Sequence, residues 1–192
     1  MCKLKSAIVL KDRIFMPDYD SHSDMLQELG IKDDYLGASK KFVRVELSPE
    51  NGDVFSNIDE WKLTVDQDIK PEWFSEEEYK PKIVEAVKEW AKSHIHIGVN
   101  GLKITSGVNH YIKDCKDVAI INSTVTAWEN STVTARGNST VANDPYWTWY
   151  KQSTLILADN ATFKDNKGKV IYQSGNYKLI SIESGKAIGE AK

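Results

Sequence analysis

The sequence contains few cysteines and no long apolar run, and these absences exclude several classes of protein. The two cysteines, Cys2 and Cys115, lie far apart in a chain of 192 residues, which is typical of a reducing compartment and not of a disulfide-stabilised secreted domain. No stretch reaches the roughly 18 apolar residues of a membrane-spanning helix. The segment Met1–Lys5 also lacks the apolar run of a signal peptide. We therefore expect a cytoplasmic protein without a membrane partner.

The chain also carries little net charge. Its 28 acidic and 25 basic residues give a net charge of −3, which is too weak to indicate a nucleic-acid-binding surface or an acidic mimic of DNA. An apolar content of 41% and a charged content of 28% are ordinary for a folded domain. The length allows one large domain or two small ones.

The most regular feature of the sequence is an eight-residue repeat between Asn122 and Asn143. It reads NSTVTAWE, then NSTVTARG, then NSTVAN. Ser, Val and Ala alternate with Thr, so each set lies on its own side of an extended strand. The Asn and Gly residues between repeats accept the positive φ values of sharp corners. Because one repeat is too short to bury a core, neighbouring repeats must stack, which predicts a β-solenoid with small residues inside.

The same spacing extends to both sides of this segment. Apolar residues recur at steps of eight in three runs, namely Ile104, Ile112 and Ile120; Val125, Val133 and Val141; and Leu155, Phe163, Ile171, Leu179 and Ala187. The step from Val141 to Leu155 is fourteen residues, so the register of the repeats breaks there. We therefore predict a β-solenoid domain over residues 98–192, with two repeats per coil. An antiparallel β-meander is the alternative after Lys151.

The first half of the chain has the mixed pattern of an α+β domain. Short apolar runs predict strands at 6–10, 13–16, 42–47 and 61–65. Ser21 or Ser23 caps a short helix that Gly30 ends. Pro71 and Pro81 bracket an acidic helix start at 75–78. The helix proper is expected over about 82–93, with an apolar stripe formed by Ile83, Val84, Val87, Trp90 and Ala91. We predict an α+β head domain over residues 1–97, in which this helix packs on a small sheet.

Four stretches of the chain together resemble a known group of proteins. They read MCKLKSAIV at 1–9, FVRVE at 42–46, VDQD at 65–68 with PEW at 71–73, and the NSTVTA repeats. In this combination the chain resembles uncharacterised phage and prophage proteins of gut bacteria, which join an α+β head to a variable number of eight-residue repeats. The resemblance covers most of the chain. It implies an origin in a mobile element and a place inside a bacterial host cell, and it transfers no activity.

Cys2 is the candidate catalytic residue. Removal of Met1 before a small residue makes Cys2 the N-terminal residue, so that a free α-amine lies beside a thiol as base and nucleophile. The chain is similar in this respect to N-terminal nucleophile hydrolases and to the family that crosslinks abasic DNA. The Gly-Arg that follows Cys in the latter family is missing here. The alternative is a small buried residue on the first strand.

A candidate metal site consists of four alternating polar residues, Asp18, Asp20, His22 and Asp24. In an extended loop, their carboxylate oxygens and imidazole would converge on a divalent ion. The alternative is a polar loop followed by a helix cap, with Asp24 in the favourable first turn of the helix.

Two further sets of residues have weaker patterns. Asp66 and Asp68, together with Glu46, supply the carboxylates that acid–base catalysis needs, although two carboxylates at this spacing are common on strand faces and turns. His94 and His96 would lie on one face of a strand, either as metal ligands or at a solvated edge.

The aromatic segment at the register break is the candidate partner-binding site, formed by Tyr146, Trp147, Trp149 and Tyr150. Aromatic side chains on the loops of a rigid scaffold often supply the anchors of an interface. The alternative is a plug that closes the core of the repeat domain where the register fails.

These patterns favour a non-catalytic interaction protein of phage origin. We expect it to bind a protein of the bacterial host through a rigid solenoid and an aromatic loop, with inhibition of a host-defence component as one outcome. We expect no cofactor, and self-association is a further option. The alternative is a small enzyme that uses Cys2 as its nucleophile or a metal site in the head domain.

Overall fold

A computed structural model describes residues 4–34, 40–105, 107, 109–128 and 131–143, and it describes the backbone of the strands within 154–191. Helices and strands both occur in these residues, with two α-helices among a majority of strands. The mixed α/β class expected from the sequence is confirmed. The chain divides into two compact units, 1–92 and 93–192. No helix in the described part combines the length and the apolar composition that crossing a membrane requires.

The first unit contains an antiparallel sheet of four strands. They are β1 (Lys5–Leu10), β2 (Ile14–Phe15), β3 (Phe42–Ser48) and β4 (Lys62–Val65), and their spatial order is β2-β1-β3-β4. Ser6 on β1 and Thr64 on β4 both pair with Glu46 on β3. Since directly paired residues point to the same face of a sheet, these three residues form a polar row across the strands.

Helix α1 (His22–Glu28) covers the apolar part of that face. Ser21 is its N-cap, and the Ser21 side chain accepts a hydrogen bond from the backbone N–H of Asp24. This satisfies one of the unpaired donors of the first turn. A buried cluster is formed by Ile8, Met25, Leu26 and Phe42. The sheet face is therefore apolar towards Phe42 and polar towards Glu46.

Helix α2 (Glu76–His94) begins earlier than the sequence pattern predicts, and it contains Pro81. Ser75 caps this end of the helix, because its hydroxyl accepts a hydrogen bond from the N–H of Glu78. Pro81 lies beyond the first turn and has no N–H to donate, yet the helix continues past it to His94. The predicted apolar stripe is confirmed as buried, at Ile83, Val84, Val87, Trp90 and Ala91.

The second unit consists of strands that alternate between two sheets. One sheet contains β5 (Ile95–Ile97), β7 (His110–Lys113), β9 (Thr124–Trp128), β11 (Thr140–Asn143), β13 (Thr162–Lys164), β15 (Tyr177–Ile180) and β16 (Ala187–Ala191). The other contains β6 (Lys103–Ile104), β8 (Val118–Ile121), β10 (Thr132–Arg136), β12 (Thr154–Ala158) and β14 (Lys169–Ser174). The described neighbours are parallel except for β15 and β16.

The two sheets share one core. Val125 pairs with Val141, sixteen residues later in the same sheet. The predicted inward positions are confirmed, because a single buried cluster includes Ile104, Ile112, Ile120, Val125, Val133 and Val141. Ser131 and Ser139 are buried as well, and their hydroxyls accept hydrogen bonds from the N–H groups of Cys115 and Ser123, also sixteen residues earlier.

A corner between strands shows why Gly and Asn recur at the repeat boundaries. Asn122 has a φ of 51°, and its side-chain oxygen accepts a hydrogen bond from the N–H of Asn138 at 3.0 Å. Gly137 has a φ of 62°, and a Cβ atom there would lie 2.3 Å from that same oxygen. Any larger residue at 137 would displace the Asn122 side chain and break the hydrogen bond.

The register break is a longer connection between strands that keep their pairing. Val133 pairs with Leu155, 22 residues later, whereas the strand pairs before this point are fifteen or sixteen residues apart. The extra residues lie between β11 and β12. The meander considered after Lys151 is not formed by β12 to β15, since these strands pair in parallel and β13 and β14 belong to different sheets.

Candidate functional site

The polar end of the first sheet buries charged side chains. Strand alternation places Phe42, Arg44 and Glu46 on one face of β3, and all three are buried. Charged groups in such positions need partners in place of water. Arg44 forms an ion pair with Asp33. Lys5 at the start of β1, whose side chain has no exposed area, forms an ion pair with Asp20 at 2.8 Å.

A second cluster joins His22, Glu46 and Asp66. His22 is the first residue of α1 and is 6% exposed, Glu46 is also 6% exposed, and the side chain of Asp66 is 58% exposed. Each offers one possible ligand atom, and these atoms all lie within 4.8 Å of one another. The cluster is thus buried on the side of the sheet and open to solvent on the side of Asp66.

The imidazole of His22 has a defined orientation. Its Nε2 atom lies 3.1 Å from the carbonyl oxygen of Val45, and its Nδ1 atom lies 3.3 Å from Oδ2 of Asp66. A carbonyl oxygen only accepts hydrogen bonds, so Nε2 carries a hydrogen. Nδ1 therefore faces the carboxylate either as a second donor, in an imidazolium, or with its lone pair directed at a cation.

The four residues of the predicted metal site do not come together. Asp20 binds Lys5 and accepts a hydrogen bond from the N–H of Ser6. Asp24 lies in the first turn of α1, where a negative charge is favourable. In the described residues, the cluster of three possible ligands around His22 includes neither of these carboxylates nor that of Asp18.

Sequence reasoning placed Glu46 with Asp66 as a carboxylate pair, and the structure brings these two together with His22. Asp68 is not part of the cluster. Ser6 was missed. It lies opposite Glu46, it is fully buried, and its hydroxyl has no hydrogen-bond partner within the described residues. Its signal in the sequence is a polar residue inside an otherwise apolar strand.

The second unit contains a stack of three histidines. His94 and His110 lie with ring centroids 4.8 Å apart, and His96 lies 6.2 Å from His110. The rings are nearly parallel and the first distance equals the spacing of neighbouring strands. Burial lowers the pKa of His96. A hydrogen bond with the backbone of Ser93 raises this pKa, and the neighbouring His94 lowers it, so that the pKa lies below its ordinary value. His96 on β5 and His110 on β7 fill inward strand positions that pair with Ile112 and Val125, whereas His94 is the last residue of α2.

The other predicted site residues lie outside the described residues. They are Cys2 and the aromatic segment, with Tyr146, Trp147, Trp149 and Tyr150. Comparison of the chain with protein-family models, with curated proteins and with solved structures finds no match.

Proposed function

We propose that the second unit is a β-solenoid with two repeats per coil, and that the protein uses it as a rigid scaffold for binding a partner protein. The supporting observation is the alternation of strands between two parallel sheets over one shared core, with pairing at fifteen or sixteen residues before the long connection. Each repeat in such an array contacts mainly its neighbours, which produces a long and regular surface.

The outward positions of this unit are mainly uncharged. Thr124, Thr126, Thr132 and Thr134 are half-buried on the two sheets. Threonines give an interface little anchoring energy, whereas a buried aromatic anchor often contributes about 2 kcal/mol or more. We therefore assign partner binding to the aromatic segment of Tyr146, Trp147, Trp149 and Tyr150, in the long connection between β11 and β12.

The resemblance to phage and prophage proteins supports an origin in a mobile element. In this proposal the protein acts in the cytoplasm of a bacterial host, and its partner is a host protein, with a component of host defence as the favoured class. The weak net charge of −3 supports a protein partner over nucleic acid.

A small enzyme is the second candidate function. The observation that favours it is the cluster of His22, Glu46 and Asp66, which combines an imidazole with two carboxylates at an opening to solvent. Cys2 is the candidate nucleophile of this alternative.

Affinity capture from a bacterial lysate, followed by mass spectrometry, tests the proposal. We expect wild type to retain a defined host protein and a Trp147→Ala/Trp149→Ala variant to lose it with an unchanged melting temperature. A Thr132→Ala/Thr134→Ala variant is the control for the outward face, and we expect it to retain the partner. Capture that is equal in all three proteins would contradict the assignment. A biological effect that Cys2→Ala abolishes, with capture intact, would favour the enzyme.

A further inference from the structure

We propose that His22, Glu46 and Asp66 bind a divalent transition-metal ion of the Zn²⁺ type. The site lies wholly in the first unit and does not depend on the partner binding proposed above. It also differs from the metal site that the sequence predicts, because His22 is the one residue that the two sets share.

The hydrogen bond of His22 orients its imidazole as in protein metal sites. A metal-binding histidine commonly donates its second ring N–H to a backbone carbonyl or a carboxylate, which fixes the tautomer and the ring plane. His22 does this with Nε2 and Val45. Its Nδ1 is then the free ligand atom, and it is the atom that faces Asp66.

The separation of His22 and Asp66 fits a shared ion. Two ligand atoms about 2.1 Å from one ion, at a tetrahedral angle, are about 3.4 Å apart. Nδ1 of His22 and Oδ2 of Asp66 are 3.3 Å apart, and the Glu46 carboxylate lies within 4.8 Å of both. The two carboxylates supply a charge of −2, which a divalent ion balances.

Ser6 is an independent observation that points to a ligand at this place. Its hydroxyl is fully buried, and no described residue forms a hydrogen bond with it. Ser6 pairs directly with Glu46 across β1 and β3, so its side chain lies on the same face as the cluster. A buried polar atom without a partner destabilises the folded chain. A water molecule on the metal ion would give it that partner.

The ligand types indicate which ion binds. One imidazole nitrogen and two carboxylate oxygens suit first-row transition ions better than Mg²⁺ or Ca²⁺, which prefer oxygen alone. Zn²⁺ binds more tightly than Mn²⁺ to a given set of such ligands. Three protein ligands leave room for water, and the exposure of Asp66 gives the ion a path from solvent.

Isothermal calorimetry of the full chain with ZnCl₂ tests the site. We expect one strong Zn²⁺ site in wild type and at least tenfold weaker binding in Asp66→Asn. Asp66 is exposed, so this change leaves the fold intact, which circular dichroism checks. Asp68→Asn is the matched control, since Asp68 is exposed on the same loop and is not a ligand. It should bind like wild type.

Two results would overturn the proposal. One is the absence of strong Zn²⁺ binding by wild type. In that case the short distance between Nδ1 of His22 and Asp66 would reflect an imidazolium–carboxylate ion pair. The other is binding that Asp66→Asn leaves unchanged, which would place the ion elsewhere. Co²⁺ substitution distinguishes binding by a cysteine from binding by this cluster, because a thiolate ligand adds an intense charge-transfer band. We expect a spectrum without that band.

Discussion

Lys5 is a buried lysine at the start of β1. Its ammonium group donates to the carbonyl of Pro17 and to Asp20, and it lies 5.1 Å from the centre of the Trp90 ring. The side chain has no exposed area, so these contacts replace water entirely. Asp20 is therefore the carboxylate that makes a buried lysine tolerable at the start of β1.

We expect Asp20→Asn to lower the free energy of unfolding by about 3 kcal/mol, because it leaves the Lys5 charge buried without its counter-ion. Urea unfolding measures the change. Glu78→Gln is the control, since the ion pair of Glu78 with Lys82 is exposed on both sides and contributes little. If both variants lost the same small amount, the Lys5–Asp20 pair would have no special role.

The sequence indicated the polar residues of this region and not their partners. Asp20, His22 and Asp66 were all recognised as candidates for chemistry. Their partners come from strands that are distant in sequence, so residue spacing alone had no means of pairing Asp20 with Lys5 or His22 with Glu46. Ser6 does leave a sign in the sequence, as a polar residue beside the apolar run of β1. Glu46 follows the regular polar alternation of β3, which is typical of a solvent-facing position and gives no sign of burial.

Among the elements, the repeat strands were the most predictable. Each repeat has the same alternation of residues, so the inward face is indicated independently by Val125, Val133 and Val141, which are all buried. The start of α2 was less predictable, because Pro81 suggested a boundary. The helix nonetheless begins at Glu76, where the hydroxyl of Ser75 caps the first turn, and it continues past Pro81 with its apolar stripe buried.

The first parallel strands differ from the later ones in their inward residues. His96 on β5 pairs with Ile112 on β7, and His110 on β7 pairs with Val125 on β9. Imidazole rings thus take the place of aliphatic side chains at this end of the core. A protonated ring at such a place loses hydration and lies close to other imidazoles.

Acidification is therefore expected to destabilise the second unit. The pKa of His96 in the folded chain lies below its ordinary value of 6.5. The unfolded chain binds a proton at higher pH than the folded chain does, so stability is complete above about pH 6.5 and declines as the pH falls towards the folded pKa. The melting temperature at about pH 7.5 and pH 5.5 measures this loss. His96→Gln should reduce the difference between the two, and an undiminished difference would show that other groups cause it.

At the scale of the whole molecule, the chain consists of two units, one with an antiparallel sheet and helices and one with mainly parallel strands. The contacts place the division between Lys92 and Ser93, and the sequence pattern placed it after Ile97. The reason is strand β5, which pairs with β7 and so belongs with the repeats, although its own sequence lacks the repeat motif. Parallel pairing between distant segments leaves no mark in a single short strand.

The winding of the second unit is the claim on which its proposed role as a scaffold depends, and a cross-link tests it directly. In a background with Cys2→Ser and Cys115→Ser, Thr124→Cys/Thr140→Cys places two thiols on paired residues of β9 and β11. Paired strands are about 4.8 Å apart, within the Cα separation of about 4.4–6.8 Å that a disulfide spans. We predict rapid formation of an intramolecular disulfide under mild oxidation. Thr124→Cys/Thr132→Cys, one repeat apart and in different sheets, should form none. A disulfide in the second variant and not in the first would contradict two repeats per coil.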